Sequence, residues 1–145
     1  MLKGRSELSL DVKGRMAMPA KHRPALVDPD TGRSVVVTTV HPRGFLVIYP
    51  YRTWLEIVTK LEALSDEQGR ELRRVVIGNA HEDELDGSGR ILIPSELREE
   101  GRLEKEITLV GVGNSLELWP TDEYRVQRAR DREKLAAADL SGISL

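Results

Sequence analysis

The chain has 145 residues, of which 39% are hydrophobic and 32% charged, enough for one compact domain or two small intertwined halves around a hydrophobic core. It has no cysteine, which excludes a disulfide framework and every cysteine-based zinc site. The sequence shows no secretory signal, and no apolar run reaches the about 20 residues that a membrane-spanning helix needs. We therefore expect a soluble, cytoplasmic protein without a membrane partner.

The charge of the chain is unevenly distributed. The formal net charge is −2, yet six cations against two carboxylates give residues 1–24 a charge of +4, which leaves −6 on the rest. Acidic residues concentrate further along, for example at 82–84 and 96–106. Distribution matters more than the total for binding a polyanion, so a basic N-terminal segment on an acidic body is compatible with a nucleic-acid partner.

The first elements in chain order are an alternating strand at 7–10, a tight turn and a short helix. Asp11 can accept backbone N–H bonds from residues further along the turn, and Gly14 supplies the left-handed conformation at its end. An Asp-x-x-Gly segment between extended arms predicts a type I turn with a glycine bulge, a common hairpin connection, with Arg15 at the hairpin tip. Pro19 suits the first position of a helix, which a second proline five residues later keeps very short.

Two strands and a helical spacer follow. β-branched residues predict a strand at 35–40, and its partner is predicted at 45–49. Apolar residues at helical spacing then predict a first spacer helix, and these residues are Trp54, Ile57, Val58, Leu61 and Leu64. Ser65 and Gln68 form a capping-box pattern that opens a second spacer helix. The apolar stripe of this second helix consists of Leu72, Val75 and Val76.

The second half repeats the order of the first. A turn at 86–89 has Arg90 at its exit, Pro94 opens a short helix, and Gly101 can end that helix. The remaining predicted elements are strands at 107–110 and 116–119 and a C-terminal helix that begins at Thr121, whose charged part at 125–139 we expect to be exposed or frayed.

An internal repeat relates the two halves. The segment 10–19 recurs 75 residues on as 85–94, with Leu, Asp, Gly, Arg and Pro at matched spacing. Each copy continues through three residues to an arginine, Arg23 in the first and Arg98 in the second. The strand ends recur at an offset of 70 residues, as 46–50 and 116–120. Two copies are too few for a solenoid, so the repeat predicts a duplicated module folded about a pseudo-twofold axis. The predicted divisions are a first module at 5–51, a helical spacer at 52–80, a second module at 81–124 and a C-terminal helix and tail at 125–145.

The Asp-x-x-x-Arg unit of each turn has two interpretations. In the first, the arginine only pairs with the aspartate and holds the turn. In the second, the guanidinium of Arg15 or Arg90 binds a phosphate or the O6/N7 edge of guanine, both of which accept two parallel hydrogen bonds. We expect both to hold in part, with Asp11 and Asp86 shaping the turns and the arginines available to a ligand.

No other motif indicates a chemical site. His22, His41 and His81 are isolated and show no metal-ligand spacing, and we expect His22 on the surface. Trp54 and Trp119 suit the core or an interface. Because no nucleophile–base or paired-carboxylate arrangement stands out, the sequence predicts no enzyme, no cofactor, no metal and no small-molecule substrate.

The repeated units resemble a known family. Residues 4–23 are similar to the N-terminal signature of the MraZ family, and residues 86–98 are similar to its second copy. The similarity also covers the strand ends and the spacer, and only the tail after Arg125 lacks it. The resemblance implies an α+β fold in which two SpoVT/AbrB-like modules swap hairpins into a small pseudo-twofold β-barrel, with a helical spacer and a C-terminal helix. It also implies a homo-oligomer in the form of a ring.

The same resemblance implies a function. Members of the family regulate transcription of the division and cell-wall gene cluster that contains their own gene, and they bind short direct repeats upstream of it. The implied partner is double-stranded DNA, and the implied location is the nucleoid. The family's DNA-contacting arginine falls on Arg15, and Lys13 is the second contact. The further basic candidates are Arg5, Lys21, Arg23 and Arg90, and the turn-shaping positions are Asp11, Gly14, Asp86 and Gly89.

Two questions stay open at the level of sequence. The second turn has Ser88 where the first has Lys13, so we expect the first hairpin to supply most of the affinity and the second to be mainly structural. The rival to a DNA-binding protein is a protein-interaction or antitoxin-like module with structural arginines. The short tail at 136–145 argues against a segment that wraps a toxin.

Overall fold

The chain forms eight β-strands and five α-helices in a computed structural model that describes all of residues 1–145. The strands are β1 (Leu2–Ser9), β2 (Arg15–Ala17), β3 (Val35–Val40), β4 (Leu46–Pro50), β5 (His81–Glu84), β6 (Arg90–Leu92), β7 (Glu106–Gly113) and β8 (Leu116–Pro120). The helices are α1 (Arg23–Leu26), α2 (Tyr51–Glu62), α3 (Glu67–Leu72), α4 (Ser95–Glu100) and α5 (Thr121–Ala136). A 3-10 helix (Ala20–His22) precedes α1, and a π-helical turn (Arg73–Ile77) follows α3. None of the helices combines the length and the apolar character needed to span a membrane.

Six strands form one antiparallel sheet in the order β1-β7-β8-β4-β3-β5, and β2 pairs with β6 in a separate two-stranded ribbon. This architecture agrees with the expected α+β class. The sheet has two edges, β1 and β5, and no ladder joins them, so the strands do not form a closed barrel. The strand expected at 7–10 is longer, because all eight residues of β1 pair with β7. The C-terminal part of α5 is exposed, as its charged sequence predicts.

The strand register relates the two halves by a twofold rotation. Met16 lies opposite Ile91 in the ribbon, and Val47 lies opposite Glu117 in the sheet. These partners are 75 and 70 residues apart, which are the two offsets of the sequence repeat. Equivalent residues therefore pair with each other, as they do on a twofold axis. In addition, β1 of the first half pairs with β7 of the second, and β5 of the second half pairs with β3 of the first.

The larger hydrophobic cluster joins the ribbon to the sheet. Met16 and Ile91 face inward from the ribbon, with exposed fractions of 0% and 1%. They belong to one cluster with Ile48 and Leu116 of the sheet. Full burial of an aliphatic side chain stabilises by about 1.5–3 kcal/mol. The inward position of these two residues therefore fixes which face of the ribbon is turned outward.

A smaller cluster packs α2 on the other side of the sheet. Trp54 of α2 packs with Val37 and with the π-helical turn, which confirms a core position for this tryptophan. Val36 belongs to the larger cluster and Val37 to the smaller one, so the two clusters lie on opposite faces of β3. Trp119 stacks on Phe45, with 4.5 Å between the ring centroids. Both tryptophans thus take part in packing.

The helix N-termini differ in detail from their predicted signals. Asp66, and not Ser65, is the N-cap of α3, because its carboxylate accepts the N–H of Gly69 at 2.8 Å. A carboxylate at this position also interacts favourably with the helix dipole, which a serine hydroxyl does not. Pro19 and Pro94 lie at N-cap positions with extended backbone, one residue before the predicted place.

His22 is buried, so the expectation of a surface position is wrong. Its exposed fraction is 1%, and its Nε2 atom has no hydrogen-bond partner. The repeat gives the reason, since the residue 75 positions later is Leu97, which is buried in the larger cluster. Burial lowers the pKa of His22, and the charge of Lys21 lowers it further. The imidazole therefore occupies an apolar position as a neutral group.

Replacing His22 with leucine is expected to stabilise the protein, most strongly at acidic pH. Because folding lowers the pKa of His22, the unfolded chain binds a proton near pH 6.5 while the folded chain does not, and wild-type stability falls as the pH drops below that value. This contribution changes by at most about 1.4 kcal/mol per pH unit, and the leucine variant lacks it. Urea unfolding of both proteins from about pH 8 to about pH 5 measures the difference. Parallel stability curves would contradict the prediction.

Candidate nucleic-acid interface

The carboxylate of Asp11 holds the first turn. Its Oδ1 atom accepts the backbone N–H groups of Lys13 and Arg15, each at 2.9 Å. Gly14 donates its N–H to the Asp11 carbonyl at 3.0 Å and has a φ of 82°, in the left-handed region that favours glycine. The backbone N–H of Arg15 is the main cause of a lowered pKa for Asp11, so this carboxylate is ionised at neutral pH.

The second turn has the same construction. Oδ1 of Asp86 accepts the backbone N–H groups of Ser88 at 2.8 Å and Arg90 at 2.9 Å. Gly89 has a φ of 75°, and the backbone N–H of Arg90 is the main cause of a lowered pKa for Asp86. Each turn is thus held by hydrogen bonds between residues no more than four positions apart.

Strand pairing corrects the expectation of a hairpin at each turn. The N–H of Asp11 donates to the carbonyl of Arg15 at 3.0 Å and closes the first turn. Beyond it the arms diverge, since β1 pairs with β7 whereas β2 pairs with β6. The second turn behaves alike, because β5 pairs with β3. The arms that follow the two turns therefore meet each other, with one turn at each end of the ribbon.

The ribbon brings Arg15 and Arg90 onto one outward face. Arg15 lies opposite Leu92, and Arg90 lies opposite Ala17. The central pair of the ribbon faces the core, so the alternation along each strand turns these four side chains outward. The two arginines are diagonal neighbours, for which the Cα atoms are about 7–8 Å apart. The pairing of β2 with β6 is thus what brings the two predicted arginines together.

Each of these arginines uses only one side-chain nitrogen, Nε, in a hydrogen bond within the protein. Nε of Arg15 donates to Oδ2 of Asp11 at 3.2 Å, and Nε of Arg90 donates to Oδ2 of Asp86 at 3.3 Å. Their side chains are 32% and 39% exposed, and their Nη atoms donate to no protein acceptor. An exposed ion pair of this kind contributes only about 0–1 kcal/mol, so it orients the arginine more than it stabilises the fold. The free Nη atoms can donate to a phosphate or a guanine edge.

The outermost residues differ between the two turns. Val12 and Lys13 of the first turn are exposed, Val12 completely. Gly87 and Ser88 stand at the same positions of the second turn. The first turn combines its aspartate with a lysine and an arginine, whereas the second combines its aspartate with an arginine alone. Only the first turn therefore carries a net positive charge.

Arg23 points toward the opposite turn. Its Nε donates to the carbonyl of Met18 at 3.0 Å, and its Nη2 donates to the carbonyl of Ser88 at 3.3 Å. The guanidinium lies against Gly89, where a Cβ atom would come within 2.3 Å of the arginine Cζ. These interactions join the first half to the second turn, and a side chain at position 89 would have to displace the guanidinium.

Arg98 makes the equivalent contact with the first turn. Its Nε donates to the carbonyl of Ile93 at 2.9 Å. A Cβ atom on Gly14 would lie 2.7 Å from the same nitrogen. Sequence reasoning identified Arg98 as the counterpart of Arg23 but gave it no role. The available signal was the recurrence of both the glycine and the arginine at matched spacing.

Arg5 and Lys21 both lie away from the turns, near the start of β1. Arg5 is exposed on β1 opposite Val110. Nζ of Lys21 would be 3.0 Å from a Cβ atom on Gly4, the neighbour of Arg5. Six residues of extended chain separate Arg5 from Asp11, which is about 20 Å at the usual rise of a strand. The basic residues of the N-terminal segment therefore lie partly at the turn and partly toward the far end of β1.

Two surface cavities lie elsewhere. A cavity of about 560 Å³ is lined by Leu2, Leu26 and Val35 among others, and one of about 680 Å³ lies beside Trp119 and α5. Neither is lined by a residue of the turns. No group of three or more His, Asp or Glu side chains is arranged to hold a metal ion. The outward face of the ribbon is thus the site that unites the sequence motifs.

The fold and the turns define a small α+β protein of two related halves, each with an Asp-x-x-Gly-Arg turn. The sequence matches the family described as "MraZ protein, putative antitoxin-like" twice, at residues 1–75 and 76–142. The transcriptional regulator MraZ of Methylobacillus flagellatus is 41% identical over 150 residues, which cover 100% of both chains. The proteins of the same name from Halorhodospira halophila and Pseudomonas fluorescens are 43% and 44% identical, over 96% and 99% of this chain and 92% and 90% of their own lengths. The chain belongs to the MraZ family.

Proposed function

We propose that this protein is a transcriptional regulator that binds double-stranded DNA in a sequence-specific manner. The relatives named transcriptional regulator support the regulatory role. The observation that carries the DNA-binding part is the outward face of the ribbon, on which Arg15 and Arg90 keep their Nη atoms free. The target, by family resemblance, is a set of repeats upstream of the protein's own operon in the division and cell-wall gene cluster. The protein then acts at the nucleoid in the cytoplasm, without catalysing a reaction.

The dimensions of the ribbon support binding in the major groove. That groove admits a two-stranded β-ribbon, and guanine presents two acceptors there, O6 and N7. A separation of about 7–8 Å between Arg15 and Arg90 corresponds to about two base-pair steps at 3.4 Å per step. The two arginines of one chain can therefore contact neighbouring positions of one site, and the aspartates that hold their Nε atoms keep the Nη atoms directed outward.

The basic residues take different parts in this proposal. Arg15, Arg90 and Lys13 contact DNA directly, with Lys13 at the tip suited to a phosphate. Arg5, about 20 Å along β1 from the turn, and Lys21, beside Gly4, contact the flanking backbone. Arg23, predicted from sequence as a DNA contact, instead positions the second turn, since two of its nitrogens already donate to backbone carbonyls.

A homo-oligomeric ring accounts for DNA binding by a chain whose formal net charge is −2. One turn offers few contacts, whereas several copies side by side can present their tips about one helical turn, ~34 Å, apart on one duplex face. Affinity then comes from multivalency, and selectivity comes from guanine contacts repeated at the spacing of the sites.

Within each copy we propose two AbrB-like swapped-hairpin modules, at 5–51 and 81–124. The spacer at 52–80 lies between them, and the tail at 125–145 follows the second module. The cross-pairing of β1 with β7 and of β5 with β3 supports this division.

Fluorescence anisotropy with DNA from upstream of the protein's own gene tests the proposal. We expect tight binding that exceeds binding to scrambled DNA of equal length and that weakens steeply with salt. The rival is a protein-interaction or antitoxin-like module, which the pairing of both arginines with aspartates favours. Equal binding of both DNAs at low salt, with the oligomer intact, would overturn the proposal in favour of that rival.

A further inference from the structure

Val12 has an exposure that the fold does not explain. It is 101% exposed, and no other residue away from the chain termini approaches this value among the large hydrophobic side chains. It stands at the second position of the first turn, where β-branched residues are not among the preferred types. The second turn has Gly87 at this position and keeps the same hydrogen bonds. The turn therefore needs no side chain here.

The position of Val12 relates it to the proposed contact surface. It lies between Asp11, which fixes the turn, and Lys13, whose backbone N–H is held at 2.9 Å by that aspartate. Arg15 is held by the same carboxylate. A polyanion bound by Lys13 and Arg15 is therefore brought against Val12, whose branched side chain is stiff and adds little conformational entropy cost on binding.

We infer that Val12 is a specificity-determining residue that contacts the 5-methyl group of a thymine in the major groove. This inference rests on the proposed DNA-binding function and names a part of its sequence preference. The thymine methyl is the apolar group that the major groove offers, and aliphatic side chains are suited to contact it. In the first turn, an apolar side chain precedes two cationic ones. Val12 thus contacts a thymine next to the positions that Arg15 and Lys13 contact. The second turn, with Gly87, does not make this contact.

Replacement of thymidine by deoxyuridine removes the methyl groups without changing base pairing and provides the test. We compare the upstream duplex in both forms, by anisotropy, with wild type, Val12→Ser and a control, Val126→Ser. Serine removes both methyl groups of valine, whereas threonine would keep one that contacts the thymine methyl. Val126 is 51% exposed on α5. We expect wild type and the control to bind uracil DNA about fourfold more weakly for each methyl contacted. Val12→Ser is expected to lose most of this difference, because serine has no methyl group to contact the thymine.

The outcomes separate this inference from the function on which it rests. Wild type could prefer upstream over scrambled DNA and yet have the same affinity for the thymine and uracil forms. That result overturns the role of Val12 alone. A Val12→Ser variant that retains the full difference overturns it as well. If wild type shows no preference for upstream over scrambled DNA, the proposed function fails, and the role of Val12 fails with it.

Discussion

Replacing Arg15 with alanine is expected to lower the affinity for upstream DNA by about fivefold to a hundredfold for each guanine that the arginine recognises, and by more where several copies bind together. The reason is that the variant loses both Nη atoms of Arg15, which are free on the outward face of the ribbon. The slope of log K against log salt should also become shallower, by about 0.9 for each phosphate that Arg15 neutralises. Thermal stability should change little, because the ion pair with Asp11 is exposed. Anisotropy titrations at several salt concentrations measure both quantities.

Arg70→Ala is the matched control for this variant. Arg70 also pairs with a carboxylate of its own helix, Glu67, at 3.0 Å, and its side chain is 58% exposed, but it lies on α3. It should bind DNA as wild type does. An Arg15→Ala variant with unchanged affinity and unchanged salt slope would place Arg15 away from DNA.

Arg90→Ala decides how the two turns share the affinity. Its effect on the affinity should be smaller than that of Arg15→Ala, because no lysine stands beside Arg90 in the second turn. The same titrations measure it. Equal reductions in affinity would end the hypothesis that the second turn is mainly structural and would favour symmetric use of the ribbon.

The local parts of the site are predictable from sequence, because they depend on residues close together in the chain. Asp11 with Gly14, and Asp86 with Gly89, occupy the positions that turn chemistry favours. Segments with strong periodicity, such as α2, are equally predictable. The repeat strengthens the prediction of the turn, since the same Asp-x-x-Gly-Arg pattern occurs twice in the chain.

The pairing of distant strands is not predictable in the same way. Leu8 pairs with Ile107, and nothing in either segment specifies the other as its partner. A hairpin is the shortest connection compatible with each turn, so the sequence favours it. The long-range pairing of β2 with β6 prevails instead, and the shared face of Arg15 and Arg90 follows only from that pairing.

The burial of single side chains near the turns shows a second limit. The helix that contains His22 has three residues, too few for periodicity to indicate an inward face. Comparison with Leu97 across the repeat would have indicated burial. The repeat likewise relates Arg23 to Arg98, but it does not reveal that each contacts the turn of the other half, because that requires the ribbon.

Gly89→Ala is expected to reduce the free energy of unfolding by about 2–5 kcal/mol. A left-handed backbone costs an alanine about 1–2 kcal/mol, and displacement of Arg23 breaks two hydrogen bonds worth about 0.5–1.5 kcal/mol each. Gly87→Ala is the control in the same turn, since its φ is not in the left-handed region and no atom lies within 4 Å of its added Cβ. Urea unfolding measures both variants, and equal stabilities would contradict the prediction.

The interaction between the halves can be separated from the backbone strain by a double variant. In Arg23→Ala, the space above Gly89 is free, so adding Gly89→Ala should cost only the free energy of the left-handed backbone. The two changes together should then destabilise less than the sum of the single changes. Strict additivity would mean that the guanidinium of Arg23 moves aside at no cost and does not lock the turn. Since Gly89 precedes Arg90 directly, the same variants should weaken DNA binding in proportion to the distortion of the turn, whereas Gly87→Ala should leave it unchanged.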